Sequence, residues 1–190
     1  MKGKDLLKST DGVTLVELMI VMALSLLLMA AVYLTSQVQK ETSDEQHQVM
    51  AAQQDLRAVV GIIERDILNA GCDPQFTNTP NNRVFGIQGT PTSSTTGTIT
   101  VTSDLNSNGA LEPASEQAVY SLSGGAIRRN GNGLVNNATN LQFTFFDAND
   151  NPTTAVADIR SIELQVSVES ENEQFTRTLT RRIKCRNVKI

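Results

Sequence analysis

The 190-residue chain contains no tryptophan, and aromatic residues make up only 4% of it. Its core must therefore be modest and built on Ile, Leu, Val and a few Phe. There is one histidine, His47, and there are two cysteines, Cys72 and Cys185. That supply excludes a Cys₂His₂-type metal site and a thiol–imidazole pair beside a zinc. Lys and Arg number 16 against 20 Asp and Glu, for a net charge of −4 and a pI near 5.0. No basic stretch suits a phosphate backbone, so nucleic acid is not an expected partner. A nucleophile–base set, a Gly-rich phosphate loop and a carboxylate pair on a definable rigid element are also missing, which argues against an enzyme.

What the chain does have is unevenly distributed. The mean hydropathy of −0.18 averages two unlike parts. Residues 1–12 are short and polar, with Lys2, Lys4 and Lys8 against Asp5 and Asp11. Val13 to Leu34 then forms 22 apolar residues with a single charge, Glu17. A helix of that length spans ~33 Å, enough for a bilayer core. The run exceeds the ~7–15 residues of a secretory h-region. A carboxylate inside a bilayer costs roughly 2.5–3.5 kcal/mol on insertion scales, so Glu17 needs a reason to be there.

No glycine or proline occurs from Val13 to Val60. After a polar stretch, Thr35 to Gln48, apolar residues return at Val49, Ala52, Leu56, Val59, Ile63, Ile67 and Ala70. Steps of three and four make one helical stripe. Gly71 stands where a left-handed C-terminal cap belongs, and Pro74 follows. The pattern predicts a single helix from Val13 to Ala70, with His47 on its solvated face. Beyond it the chain reads as strands: Val84–Ile87, Thr98–Thr102, Val119–Leu122, Ala126–Arg129, Leu141–Phe145, Ile162–Val168 and a last one through Leu179, Arg181, Ile183 and Cys185. Ser-Gly-Gly between the third and fourth is a hairpin signal. The expectation is an α+β head in which the helix covers one face of an antiparallel sheet.

The segment Lys8-Ser-Thr-Asp-Gly12-Val13-Thr-Leu-Val-Glu17, followed by the apolar run, resembles the processing site of type IV pilins and type II secretion pseudopilins. The resemblance implies that a prepilin peptidase cuts between Gly12 and Val13 and methylates the new terminus at Val13, where the family usually has Phe. It implies a pilin-like fold: residues 1–12 a cleaved leader, 13–34 the transmembrane and filament-core half of the long helix, 35–70 its periplasmic half, 71–190 a β-rich head. Partners would be other pilin subunits, the peptidase and an inner-membrane assembly platform, with the head in the periplasm. In such filaments Glu17 is expected to pair with the terminal amine of a neighbouring subunit. Pairing within one chain, or complementing the dipole at the helix N-terminus, are the alternatives. Ile63-Glu-Arg-Asp-Ile-Leu-Asn-Ala-Gly-Cys72 and Leu141-Gln-Phe-Thr-Phe-Phe-Asp-Ala-Asn-Asp-Asn151 resemble PilW-type minor pilins and GspJ-type pseudopilins. A minor pilin is the leading expectation, a pseudopilin or a filament-displayed binding module the alternatives. Arg65 and Asp66 read as polar-face residues with local ion pairs.

Two further constellations lie in the head. Export would place Cys72 and Cys185 where disulfides persist, so a bridge from helix end to last strand is expected, two free thiols being the alternative. Asp104, Asn106, Asn108, Gly109 and the Ala110 carbonyl match the first half of a calcium loop, with Glu112 at position 9. Ser115 occupies position 12, and Glu116 falls one residue late. Calcium held weakly, at ~10⁻⁴–10⁻³ M, is one reading; a turn needing no metal is the other.

Overall fold

The computed structural model describes residues 12–79, 84–88, 97–170 and 175–187. The chain divides into two compact units, Met1–Gln46 and His47–Ile190. One helix, α1 (Leu15–Asn69), runs from the first into the second. It forms because neither glycine nor proline interrupts it before Gly61. In the first unit every described residue is exposed, the apolar ones included. In the second, Ala52, Leu56, Val59, Val60, Ile63 and Ile67 are buried, the expected stripe with Val60 added; Val49 is half-buried. Ala70, just past the helix, is buried too. Gly71 ends α1 with φ +77°, and a Cβ there would meet the Asn187 carbonyl oxygen at 2.7 Å, so the position requires glycine on two counts.

Gly61, in the interior of α1, is different. It is exposed and has open space around its missing Cβ. Glycine in a helix interior costs about 1 kcal/mol relative to alanine. Gly61→Ala is expected to raise the melting temperature of the head by roughly 2–4 °C, read by differential scanning calorimetry. An unchanged or lowered value would mean that this turn of helix needs backbone freedom.

The strands of the head fall into two antiparallel sheets among the described residues, where a single sheet was expected. The first is a meander of β1 (Gly86–Gln88), β2 (Thr98–Thr102), β3 (Gln117–Ser123), β4 (Ala126–Arg129) and β5 (Asn132–Val135). The second contains β6 (Ala138–Phe146), β7 (Ser161–Glu169) and β8 (Thr176–Lys184). A short helix, α2 (Pro113–Glu116), precedes β3. Gly124 and Gly125 both adopt positive φ between β3 and β4, as the Ser-Gly-Gly signal requires. The β4–β5 hairpin was not anticipated, although its turn is Asn130-Gly131, with φ of +50° and +80°. That dipeptide is the strongest short hairpin signal, and here it was hidden by a short, weakly apolar strand.

Alternation decides which face is inside. Along β7, Ile162, Leu164, Val166 and Val168 are buried and meet Phe143, Phe145 and Leu141 from β6. These side chains, Ile87, Ile99, Val101, Tyr120, Ile127 and the α1 stripe make one apolar core. On β8 only Ile183 is buried and Leu179 half-buried, while Thr178, Thr180, Arg182 and Lys184 are exposed as the pattern predicts.

Candidate processing and assembly site

The expected cleavage segment lies at the start of α1. Gly12 and Val13 are exposed and precede the first helical turn. Residues 1–11, most of the expected leader, lie outside the described residues. A side chain at Gly12 would meet nothing within 4 Å, so the backbone there stands open to an enzyme.

Glu17 has a partner in its own chain. Its Oε2 accepts hydrogen bonds from the Thr14 N–H and the Thr14 hydroxyl, both at 3.0 Å, while Thr14 Oγ1 accepts the Glu17 N–H at 3.2 Å. This reciprocal pair is a capping box, legible in Thr14-x-x-Glu17 but overlooked in favour of the charge. It satisfies two amide groups that the first helical turn leaves without partners. Among the described residues nothing reaches Oε1, which stays available to a donor from another chain. From Leu15 to Val38 the apolar side chains point outward with no cover, and this half of α1 is long and apolar enough to cross a membrane.

A family profile, the prokaryotic N-terminal methylation motif, matches residues 7–33. A second, prepilin peptidase-dependent protein B, matches residues 45–185, about three quarters of the chain. The chain belongs to this family of prepilin peptidase-dependent proteins. It is a membrane-anchored subunit of the pilin and pseudopilin type, processed by prepilin peptidase. No curated protein and no solved structure matches it.

In this family member the helix is locked to the head by a network that reading for local ion pairs missed. Tyr120 on β3 and Arg129 on β4 are cross-strand partners. The Tyr120 hydroxyl donates to Asp66 Oδ2 at 2.6 Å, and Arg129 Nε donates to the same oxygen at 2.8 Å. Asp66 is therefore joined to residues 54 and 63 positions away; its contact with Arg65, at 3.6 Å, is the minor one. Burial, and then the Asp66 carboxylate, hold the Tyr120 phenol in its neutral form far above its ordinary range. Burial opposes the Arg129 charge, and Asp66 outweighs that opposition, so its pKa rises.

The loop at Asp104 is drawn together, but by its own hydrogen bonds. Asp104 is buried, and its oxygens accept the amides of Asn108 at 3.2 Å and Gly109 at 2.9 Å. Asn106 Oδ1 accepts the Asn108 amide, Asn108 Oδ1 accepts the Ala110 amide, and Asn108 Nδ2 donates to Glu112. Buried Glu116 is committed at both oxygens, taking the Leu105 and Asn106 amides on one and the Glu112 amide on the other. Among the described residues no group of three His, Cys, Asp or Glu is placed to hold a metal ion. Asp104 and Glu116 thus serve the backbone of the turn, each through charge-assisted hydrogen bonds to main-chain amides.

The expected bridge is absent: Cys72 and Cys185 are free thiols. The Cys72 amide and carbonyl are tied to Asn69 and Asp104, while the Cys185 amide is tied to Arg160. Burial pushes the Cys185 thiol up to about 11, with Arg160 pulling weakly the other way. Because only the thiolate reacts, Cys185 is almost wholly inert at pH 8. Iodoacetamide at pH 8 is expected to label Cys72, which lines an open surface cleft, well ahead of Cys185. Labelling of Cys185 should rise about tenfold per pH unit until pH approaches 11. Equal rates at pH 8 would contradict the burial argument.

Proposed function

We propose that the protein is a minor pilin: a structural subunit, cut between Gly12 and Val13, methylated at Val13, and built into a type IV pilus. The observation that carries this reading is the division of apolar surface along one helix. Every buried core residue lies at or beyond Ala52, while the apolar residues from Val13 to Val38 are exposed. Such a surface requires a bilayer before assembly and neighbouring helices after it. The precursor would wait in the inner membrane with its head in the periplasm, oriented by the lysines of the leader. Its partners would be the peptidase, an assembly platform and adjacent subunits that meet it through α1.

The test is the mature N-terminus. Mass spectrometry of membrane-extracted protein should find a chain starting at methylated Val13 in cells with the peptidase, and at Met1 in cells without it. The same Val13 species should be present in sheared filaments. A Met1 terminus despite the peptidase, or a cut near Ala30, would overturn the reading.

A further inference from the structure

The charge on the head is concentrated at one sheet margin. Residues 177–186 hold five cations, Arg177, Arg181, Arg182, Lys184 and Arg186, and no acid. They lie on and just beyond β8, which among the described residues pairs only with β7. Arg181 is bound to Glu64 at 3.2 Å, and Arg182 to Asp150 while stacked over the Phe146 ring. In register, Glu163 stands opposite Arg182 and Ser161 opposite Lys184. Arg177, Lys184 and Arg186 have no ion pair among the described residues, and Lys184 is exposed on the face turned away from the core.

Along α1 the opposite charge is densest in one stretch, three acids within five residues. Glu41, Asp44 and Glu45 are all exposed, accompanied only by Lys40, and make no ion pair among the described residues. Their i, i+3, i+4 spacing puts them on one helical face. Glu41 and Glu45 are ~6.0 Å apart along the helix axis. Alternate residues of a strand, such as Arg182 and Lys184, are ~6.6 Å apart. The two spacings match.

We propose that the β8 margin around Arg182, Lys184 and Arg186 docks the acidic stretch Glu41–Glu45 of a second copy of this chain. The inference rests on the filament reading above, in which apolar helices hold copies together and bring a second α1 alongside a head. A second β8 is excluded as the occupant: antiparallel addition would set one row of cations against another. Exposed ion pairs are individually weak and screened by salt. The contact therefore sets the register between copies already held together by their apolar helices.

The experiment uses the full chain in detergent micelles, as an equal mixture of unlabelled and ¹⁵N-labelled copies. A carbodiimide joins carboxylates to amines only where they already touch. The expected product links Lys184 of one copy to Glu41, Asp44 or Glu45 of the other, and its yield falls at least about tenfold in 1 M salt. Lys184→Glu should abolish the link. Mixing Lys184→Glu copies with Glu41→Lys copies should restore a bond between the same two positions. Links confined to one copy, links from Lys184 to other carboxylates, or no restoration in the mixed pair would each overturn the proposal. The wild-type cells are scored for the Val13 terminus and filament entry in parallel. Normal processing and filament entry without the cross-link rejects the docking alone, whereas failed processing rejects the filament reading itself.

Discussion

Glu17→Leu is expected to insert and to be cleaved normally, yet to enter filaments at least about tenfold less than the wild type. Insertion should improve, because an ionised side chain costs roughly 2.5–3.5 kcal/mol in a bilayer. Cleavage should persist, because Gly12 and Val13 stand apart from the Glu17 carboxylate, which is bonded to Thr14. Assembly should fail, because a neighbour's Val13 amine would then lie in an apolar filament core without its counter-charge. The capping box turns this into a sharper test. Glu17→Gln keeps the cap, since glutamine also serves in that position, and removes only the charge. Thr14→Ala removes the cap's hydroxyl and leaves the charge. The expected order of incorporation is Thr14→Ala closest to wild type, then Glu17→Gln, then Glu17→Leu, measured as subunit in sheared filaments relative to the membrane pool. The reverse order, with Thr14→Ala as poor as Glu17→Leu and Glu17→Gln normal, would assign Glu17 to its own helix.

Asp66→Ala is expected to destabilise the head by about 2–4 kcal/mol, the largest effect of any single side chain outside the apolar core. The substitution leaves the buried Tyr120 hydroxyl without its acceptor and a one-third-exposed Arg129 guanidinium with only the Tyr120 oxygen, at 3.2 Å, to donate to. That exposure lets water soften the loss at Arg129, which places the figure below that of a wholly buried ion pair. Tyr120→Phe removes a donor along with its bond, so it should cost only about 1 kcal/mol. The two changes share one interaction and must be non-additive in the double variant. Urea unfolding of the full chain in detergent, followed by near-ultraviolet circular dichroism at the tyrosines, provides the measurement. A loss below about 0.5 kcal/mol for Asp66→Ala would show that the helix is held to the sheets by apolar packing alone.

Local rules were enough for the helix, the family and most strands. The spacing of Ala52, Leu56, Val59, Ile63 and Ile67, the cap at Gly71 and the alternation along β7 each depend on residues close in sequence, where periodicity of 3.6 or 2 leaves a direct imprint. The processing segment is likewise a contiguous motif, read from Gly12 to Glu17 and matched by the methylation profile. What escaped was either masked by a stronger local signal or carried by distant residues. The Thr14–Glu17 cap lay within reach of the sequence, but the unusual charge drew the reading toward a neighbour's amine. The division into two sheets could not be read, because alternation reports which face of a strand is buried and not which strand it pairs with. The same limit applies to Asp66. Nothing in Glu64-Arg65-Asp66 says that this acid, among three adjacent charges, meets Tyr120 and Arg129; the register of β3 and β4 against α1 decides it. The two cysteines show the tertiary structure acting against a compositional expectation. An exported chain with one pair of thiols suggests a bridge, but Cys72 and Cys185 are free. By itself the sequence determined the helix, its apolar half and the prepilin-type motif at its start, because these depend on neighbours along the chain. Only the tertiary structure decided which polar groups lock the head, since their energies arise from burial and from partners that folding alone brings together.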